Sequence, residues 1–318
     1  MKHLKVAVIG CGEWGYQHAR VFNELPGVRL EAVVDINPEK TQRATSMFHC
    51  KGYGSIDHML DDIEVEAVSI CTPTITHYDL SLIALNARKH VLVEKPMTNS
   101  SVEAMSLIDT ARKMGVFLSV GFVERFNPAV LEAKKIVENG EIGEVLIVHA
   151  KRVTRRPARV GDIGVVKDLG IHDIDVINYI MSESPINVYA RVGKHNHCFE
   201  DYANIILGYT SNRSGFVETN WLTPKRVRSL TITGSEGIID VEYTTQELKV
   251  EKNDHIYQPL NWYKEPLYLE LSDFTSAILE KRSPSVTGED GLQALRVCEA
   301  ALLSAESGQV VFVNGGFV

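Results

Sequence analysis

The first 122 residues alternate between two hydrophobic patterns. Short, continuously apolar runs are each followed by a segment in which apolar residues recur every three or four positions. This alternation is typical of a parallel sheet that is covered by helices on both faces. The predicted elements, in chain order, are strand 6–9, helix 14–23, strand 30–34, helix 38–48, strand 67–71, helix 76–87, strand 91–93, helix 101–113 and strand 116–120.

The pattern changes after about residue 122. One helix is expected to begin near 127 and to end at a glycine-marked turn, and a second covers 168–181. From 186 to 252, short strand-like segments are separated by turn sequences such as SNRSG and GSEG, which predict an antiparallel sheet. Helices close the chain. The sequence therefore predicts two domains, 1–122 with a doubly wound parallel sheet and 123–318 of α/β type with a mostly antiparallel sheet.

Composition and charge narrow the functional classes. The chain has 318 residues and a formal net charge of −8, which argues against general binding to nucleic acid or to anionic lipid. Its five cysteines are scattered without a CxxC spacing, as expected in a reducing compartment. The first apolar run is too short for a signal peptide, and no stretch approaches the roughly 20 apolar residues of a membrane span. A cytoplasmic protein is expected.

The first strand leads into a turn with dinucleotide-binding spacing. Gly10, Gly12 and Gly15 form G-x-G-x-x-G between a predicted strand and a predicted helix. The first glycine permits the tight turn, the second lets a pyrophosphate approach the backbone, and the third lets helix and strand pack closely. The helix amides would then hold the phosphates.

Asp35 lies 20 residues after Gly15, at the end of the second strand. A carboxylate at this place accepts the ribose 2′-hydroxyl and repels a 2′-phosphate, which favours NAD over NADP. Lys40 and Arg43 follow Asp35 in the sequence, and they leave NADP as an alternative cofactor. The alternative is that Asp35 only caps the helix that begins at Pro38.

Two segments carry candidate catalytic groups. Lys95 follows a buried strand and precedes Pro96, which ends the strand, so it is either one half of a structural ion pair with Glu94 or a reactive group. Asp168, His172 and Asp175 recur at i, i+4 and i+7, which places them on one face of an α-helix. The alternative for this face is a helix start that is capped or stabilised by ion pairs.

A cluster of basic residues precedes that helix, an exception on an acidic chain. Its members are Lys151, Arg152, Arg155, Arg156 and Arg159. Arginine binds a diphosphate through its planar fork, and Arg125 and Asn127 are further candidates to contact such a ligand. The alternatives are a solvated loop or an oligomer interface. His195 and His197 could share one side of a strand, but further metal ligands are not evident and no metal is expected.

Several motifs together resemble one known family. GCGEWG, CTPTITHYDL, VEKPM, GFVERFNP and DLGIHDIDV occur in the order found in the Gfo/Idh/MocA oxidoreductases, the glucose-fructose oxidoreductase and inositol dehydrogenase family. The resemblance covers nearly the whole chain. It implies a Rossmann domain followed by a domain with an open, largely antiparallel sheet that often forms oligomer contacts. It also implies that Lys95 and His172 are the catalytic pair, with Asp168 beside them, and leaves open which of the two takes the proton.

The same resemblance implies the cofactor and the substrate class. The expected cofactor is NAD, bound by Gly10, Gly12, Glu13, Trp14, Gly15, Asp35, Thr72, Pro73, His77, Glu94 and Lys95. Lys95, Arg125, Asn127, Arg155, Arg156 and His172 are the expected substrate-binding residues. Parts of the chain resemble the branch that oxidises nucleotide sugars, which implies the 3-hydroxyl of UDP-N-acetylglucosamine as the reacting group. The alternatives are a free sugar or a cyclitol such as myo-inositol, and a non-catalytic NAD-sensing protein. A homo-oligomer, either a dimer or a tetramer, is expected.

Overall fold

The computed structural model describes residues 3–155, 161–195, 197–260 and 262–313. The chain divides into two compact units, of which the first comprises Met1–Phe122 and Leu267–Leu292 and the second Val123–Pro266 and Gln293–Val318. Every residue after 122 is predicted from the sequence to lie in the second domain, whereas in the structure Leu267–Leu292 belongs to the first unit. An amphipathic helix pattern indicates a buried face but not the unit against which that face packs.

The strands are β1 Leu4–Ile9, β2 Val28–Val34, β3 Lys51–Tyr53, β4 Ala67–Ile70, β5 His90–Glu94, β6 Leu118–Gly121, β7 Val145–Arg155, β8 Asn187–Gly193, β9 Tyr202–Gly208, β10 Ser214–Asn220, β11 Leu222–Gly234, β12 Gly237–Glu242, β13 Glu247–Lys252, β14 Ile256–Tyr257 and β15 Val311–Phe312. The helices are α1 Glu13–Glu24, α2 Pro38–Phe48, α3 Ile56–Asp62, α4 His77–Asn86, α5 Ser101–Met114, α6 Pro128–Glu138, α7 Ile171–Met181, α8 Pro266–Glu280 and α9 Gly288–Ser307. Of the helices in the described part of the chain, none combines the length and the apolar character needed to cross a bilayer.

The first unit is a Rossmann fold, as predicted. Its six strands are all parallel and follow the order β3-β2-β1-β4-β5-β6. The order reverses between β1 and β4, and ligands of such sheets bind outside the carboxyl ends of the strands at this place. The turn after β1, the residue after β2 and the last residue of β5 therefore lie at the same edge. β3 and α3 were missed because both are short and weakly patterned.

Local sequence signals set the ends of two helices in this unit. Asn37 caps α2 through its side chain, which accepts the amide N–H of Glu39 at 2.9 Å, and Pro38 occupies the first helical position. Ser100 and Glu103 form a capping box at the start of α5, and Gly115 ends the helix in the left-handed region at φ 69°. These two helices begin at the predicted residues because polar side chains satisfy their first amides.

The second unit contains a nine-stranded sheet in the order β14-β13-β12-β11-β7-β10-β9-β8-β15. Only the pairing of β7 with β10 is parallel, so the prediction of a mostly antiparallel sheet is confirmed. The alternative that the basic stretch from Lys151 onwards is a solvated loop is wrong for its first part. Lys151, Arg152 and Arg155 lie in β7, an interior strand of the sheet.

Among the described residues, Arg152 is the largest fully buried side chain, and it sits in a cluster of four charges. Its Nη1 donates to Glu124 at 2.8 Å, and its Nε and Nη2 donate to Asp173 at 3.1 and 3.0 Å. Arg228 supplies the second positive charge, 3.4 Å from Glu124. Two cations thus face two carboxylates, and the arginine is held as an internal structural element and is not available to a ligand.

We expect Arg152→Met to lower the free energy of unfolding by about 3–5 kcal/mol, because the substitution leaves two buried carboxylates with one partly exposed cation. Urea unfolding at neutral pH measures the loss. Lys151→Met is the matched control on the same strand. Its partner in the wild type is Glu218, at 2.9 Å and partly exposed, so its cost should stay below about 1 kcal/mol. Equal stability of the two variants would contradict the expectation.

Candidate active site

The glycine-rich turn joins β1 to α1, and two of its glycines are required by the backbone conformation or by the close packing of the turn. Gly10 has a φ of 94°, and a Cβ there would lie 2.8 Å from the carbonyl oxygen of Cys71. A Cβ on Gly15 would lie 1.8 Å from the carbonyl oxygen of Gly10. The absence of side chains at these positions lets α1 approach the turn closely, as predicted for this motif.

Gly12 is different, since neither the backbone conformation nor the packing requires a glycine. Its φ of −65° suits any residue, and a Cβ added there would meet nothing within 4 Å. Gly12 is also the N-cap of α1, with no side-chain hydrogen bond to the first amides. Glu13 and Trp14 in this first turn are exposed. Free space above the free amides of a helix start is the arrangement that admits a phosphate.

Asp35 follows β2 at the same edge of the sheet. Its carboxylate accepts the amide N–H of Cys11 at 2.7 Å and that of Asn37 at 2.8 Å, so it is tied to the glycine-rich turn. The alternative that it caps α2 is wrong, because Asn37 is the N-cap. Lys40 and Arg43 are the two basic residues that left NADP as an alternative cofactor. Arg43 stacks on the ring of Tyr16, with 4.6 Å between its guanidinium carbon and the ring centroid.

An open depression of about 480 Å³ lies beside this carboxylate. Its lining includes Asp35, Ile36, Pro38, Thr41, Cys50 and Tyr53. Ile36 is 94% exposed, although an isoleucine side chain is usually buried. A polar anchor next to an uncovered apolar side chain suits the adenosine half of a dinucleotide.

Thr72, Pro73 and His77 follow β4. The buried imidazole of His77 contacts two backbone carbonyl oxygens, those of Thr72 and Pro96, each at 2.8 Å. This ring therefore joins the segment after β4 to the segment after β5. The cofactor contact predicted for His77 stays a prediction, whereas its role in holding these two segments together follows from the geometry.

Lys95 comes directly after β5, and the peptide bond to Pro96 is cis. The lysine is half-buried, and Glu94 before it is buried. Trp14 donates its indole N–H to Glu94 Oε1 at 2.7 Å. Burial alone raises the pKa of Glu94, but hydrogen bonding and charge from His18, the charge of Lys95 and the bond from Trp14 outweigh it, so the pKa is lowered and the carboxylate is ionised.

Asp168 and His172 belong to the second unit. His172 is the second residue of α7 and is half-buried, whereas Asp168 is buried in a π-helical turn, Val166–Gly170, that precedes the helix. The expected common face of Asp168, His172 and Asp175 rested on α-helical spacing throughout. That spacing applies from His172 to Asp175 but not across the π turn, whose hydrogen bonds span five residues instead of four.

Two candidate substrate-binding residues are engaged within the second unit. Arg125 donates Nε and Nη2 to the two carboxylate oxygens of Asp175 at 2.8 and 2.6 Å. Asn127 is 1% exposed, accepts the amide N–H of Ala129 as the cap of α6 and donates to the carbonyl oxygen of Tyr243 at 3.0 Å. These contacts account for both residues without a substrate.

The register of β11 brings together basic residues that are far apart in the sequence. β11 pairs with β7 through Leu222 opposite Arg155 and Val227 opposite Val153, so the four residues between Leu222 and Val227 face a single position of β7. Lys225 and Arg226, both exposed, lie in this irregular segment, which faces the end of β7 that carries Arg155. Neither residue was predicted, since only the strand register reveals which part of β7 they face. Arg156 and Arg159 lie outside the described residues.

His195 and His197, the two histidines that could share one side of a strand, both contact Asp201. The amide N–H of His195 donates to Asp201 at 2.6 Å, and the His197 ring contacts the same carboxylate. Asp201 is buried and anchors the loop between β8 and β9.

Comparisons with known proteins agree with this fold. Residues 4–122 match a family model described as an oxidoreductase family with an NAD-binding Rossmann fold, and residues 130–240 match the GFO/IDH/MocA C-terminal domain. The chain therefore belongs to the Gfo/Idh/MocA family, and it is an NAD(P)-dependent oxidoreductase with an NAD-binding domain.

The similar proteins include two kinds of dehydrogenase. The chain is 30% identical to myo-inositol 2-dehydrogenase of Thermotoga maritima, over 95% of this chain and 96% of that protein. It is 33% identical to UDP-N-acetylglucosamine 3-dehydrogenase of Acidithiobacillus ferrooxidans, over 60% of this chain and 58% of that protein. The solved structure of the latter, GnnA, superimposes with a TM-score of 0.89 at 26% identity, covering 96% of this chain and 99% of that one.

We expect Gly12→Ala to weaken NAD binding about tenfold or more, because the added methyl group occupies the space through which a pyrophosphate approaches the turn. The melting temperature of the free protein should change by less than about 2 °C, since nothing lies within 4 Å of that methyl group. Calorimetric titration with NAD and thermal unfolding measure the two effects.

Gly15→Ala provides the contrast. Its methyl group would overlap the carbonyl oxygen of Gly10, so this variant should lose stability even without cofactor. A large stability loss in Gly12→Ala, or unchanged NAD affinity, would contradict the assignment of the space above Gly12 to the cofactor.

Proposed function

We propose that this protein oxidises a secondary hydroxyl of a sugar to a ketone, and that its substrate is a nucleotide sugar, with the 3-hydroxyl of UDP-N-acetylglucosamine as the reacting group. The hydroxyl loses its proton to the protein, and its carbon loses a hydride. NAD, when bound, accepts that hydride. The family membership and the groups at the strand ends of the first unit support the reaction class.

The proposal assigns the proton chemistry to Lys95 and His172. An ammonium group next to the developing alkoxide stabilises the negative charge, and an imidazole, which titrates near neutral pH, is suited to accept the proton. Either residue could take the proton while the other stabilises the oxygen. Asp168 is proposed to act next to His172.

One observation supports a nucleotide sugar over an uncharged substrate. Arg155 lies at the end of β7, and the irregular segment of β11 that faces this end carries Lys225 and Arg226. Three cations in these two neighbouring segments, on a chain of net charge −8, suit a diphosphate, because arginine and lysine form charge-assisted hydrogen bonds with phosphate oxygens. Lys151 and Arg152 pair with carboxylates and are not counted among these cations.

A cyclitol is the second candidate. It is supported by the nearly full-length similarity to myo-inositol 2-dehydrogenase of Thermotoga maritima. A cyclitol carries no charge, so its binding should not depend on the basic residues around Arg155.

We expect Lys95→Ala to lower turnover by about 10²–10³-fold or more, because it removes the charge that stabilises the alkoxide. NAD affinity should change little, since the turn and Asp35 hold the dinucleotide. Ketone formation with UDP-N-acetylglucosamine and titration with NAD measure the two quantities. Lys113→Ala, an exposed lysine near the end of α5, is the control. Normal turnover in Lys95→Ala would exclude the assignment.

We further expect UDP-N-acetylglucosamine to bind more tightly than N-acetylglucosamine or myo-inositol. Arg155→Ala and Arg226→Ala should each weaken binding of the nucleotide sugar about 10- to 100-fold, which is the loss of one charge-assisted hydrogen bond. Lys249→Ala, on the distant strand β13, removes the same charge and should have no effect. Tighter binding of myo-inositol, unchanged in both arginine variants, would favour the cyclitol.

A further inference from the structure

The π-helical turn Val166–Gly170 leads directly into α7, the helix that carries His172. The amide N–H of Ile171 donates to the carbonyl oxygen of Val166, five residues earlier, whereas an α-helix would use the residue four earlier. Because the turn holds one residue more than an α-helical turn, Asp168 projects in a different direction relative to α7 than α-helical spacing would give. Single π turns within helices frequently lie at functional sites.

Glu200 accepts the first amides of this turn. The first amide N–H groups of a helix have no acceptor within the helix, and Val165, the N-cap, has no side chain that could accept them. The amide N–H of Val165 donates to the carbonyl oxygen of Glu200 at 3.1 Å, and that of Val166 donates to Glu200 Oε1 at 3.2 Å. One residue thus satisfies two consecutive amides, one through its backbone and one through its carboxylate.

Gly164, directly before the turn, makes room for this carboxylate. A Cβ added at Gly164 would overlap the carboxylate group of Glu200. The backbone at this position does not lie in the left-handed region, so the contact with Glu200, and not the conformation, requires the glycine. The carbonyl oxygen of Gly164 also accepts the amide N–H of Asp168 at 2.9 Å, so the same residue contacts both the glutamate and the turn.

The residue after Glu200 ties it to the sheet of the second unit. Asp201 donates its amide N–H to the carbonyl oxygen of Gly193 in β8 at 2.8 Å, and its own carbonyl oxygen accepts the amide N–H of Trp221 at 2.9 Å. Glu200 is buried, and a buried carboxylate costs solvation free energy unless hydrogen bonds replace its water. The charge-assisted bond from Val166, at the positive end of a helix, offsets part of that cost.

Other contacts hold the body of the turn. A Cβ on Gly170 would lie 3.5 Å from a methyl carbon of Thr219 in β10, and the Cys298 sulfur lies 3.8 Å from the carbonyl oxygen of Val166. The turn is therefore packed on two sides along its length, whereas its first two amides depend on Glu200.

We propose that Glu200 is a positioning residue: its carbonyl and carboxylate oxygens fix the start of the π turn, and the turn sets where Asp168 lies relative to His172. The proposal rests on the function proposed for these two residues. Glu200 is not among the residues predicted from the sequence to act in the site, because it lies 34 residues from the amide that its carboxylate accepts.

Two substitutions of Glu200 separate positioning from a purely structural role. The assay uses whichever of UDP-N-acetylglucosamine and myo-inositol the wild type oxidises. Glu200→Ala removes the acceptor of the Val166 amide, so kcat should fall about 10- to 100-fold, with the KM of the substrate and the affinity for NAD changed by less than about twofold. Glu200→Gln keeps an oxygen acceptor of the same reach, so its kcat should stay within about threefold of the wild type.

Gly164→Ala displaces the carboxylate without removing it. The added methyl group overlaps the Glu200 carboxylate, so kcat should fall as in Glu200→Ala. Glu247→Ala, at an exposed glutamate that begins β13 in the same unit, is the matched control and should leave kcat unchanged. The melting temperature of each variant is measured, and if Glu200→Ala does not fold, the comparison of Gly164→Ala with Glu200→Gln decides.

Hydrogen exchange provides a readout that needs no substrate. In Glu200→Ala the segment 164–171 should exchange about tenfold faster or more, because the Val166 amide has lost its acceptor, whereas the segment 173–181 of α7 should change by less than about twofold. Mass spectrometry of peptic fragments measures both segments. Unchanged exchange of 164–171 would overturn the proposal, and so would a Glu200→Gln variant whose kcat is as low as that of Glu200→Ala.

The two proposals can fail separately. If the exchange responds as expected but the wild type oxidises neither a nucleotide sugar nor a cyclitol, the proposed function fails and the role of Glu200 in holding the turn stands. If the wild type is active and kcat is normal in Glu200→Ala, the proposed function stands and the positioning role of Glu200 fails.

Discussion

The close contact between Gly15 and the backbone of Gly10 is the constraint on which the first unit depends. A single methyl group at Gly15 would overlap the Gly10 carbonyl oxygen, so α1 can leave β1 at this angle only without side chains at the two positions. That angle places the free amides of the helix above the carboxyl edge of the sheet. It also directs one face of the helix, with Trp14 and His18, to the end of β5. Cofactor site and lysine are therefore set by the same turn.

Strong local signals made much of the fold predictable. Apolar strands with every residue buried, such as β4, and helices with a capping residue, such as α5, were predicted correctly. The signals that mark them, a run of apolar residues or a capping side chain, lie within or next to the element itself. β7 was missed because five of its eleven residues are charged or polar, although Arg152 is neutralised inside the protein by Glu124 and Asp173. Those partners are remote in sequence, so no local pattern indicates that this strand, although charged, is buried.

The candidate site was predictable to a similar extent. Gly12, Asp35 and Lys95 occupy places that follow from parallel strands with ends at one edge. The residues that surround these three could not be predicted from the sequence. Glu270 lies far along the chain from Glu94, although their carboxylates approach within 4.8 Å, and the segment with Lys225 faces the Arg155 end of β7 only through an irregular register. The π turn before α7 likewise changed which residues share a face with His172, because helical spacing was assumed where the hydrogen-bond pattern differs.

The return of Leu267–Leu292 to the first unit affects how the protein can be divided. The chain passes from one unit to the other three times, after residues 122, 266 and 292. Ser119 in β6 donates to the carbonyl oxygen of Val286, and the glycine at 291 lies against Val120, so the returning segment covers the last strand of the parallel sheet. A chain truncated after Phe122 would expose that strand and lack Glu270. The dinucleotide-binding unit is thus completed only after most of the second unit has been synthesised.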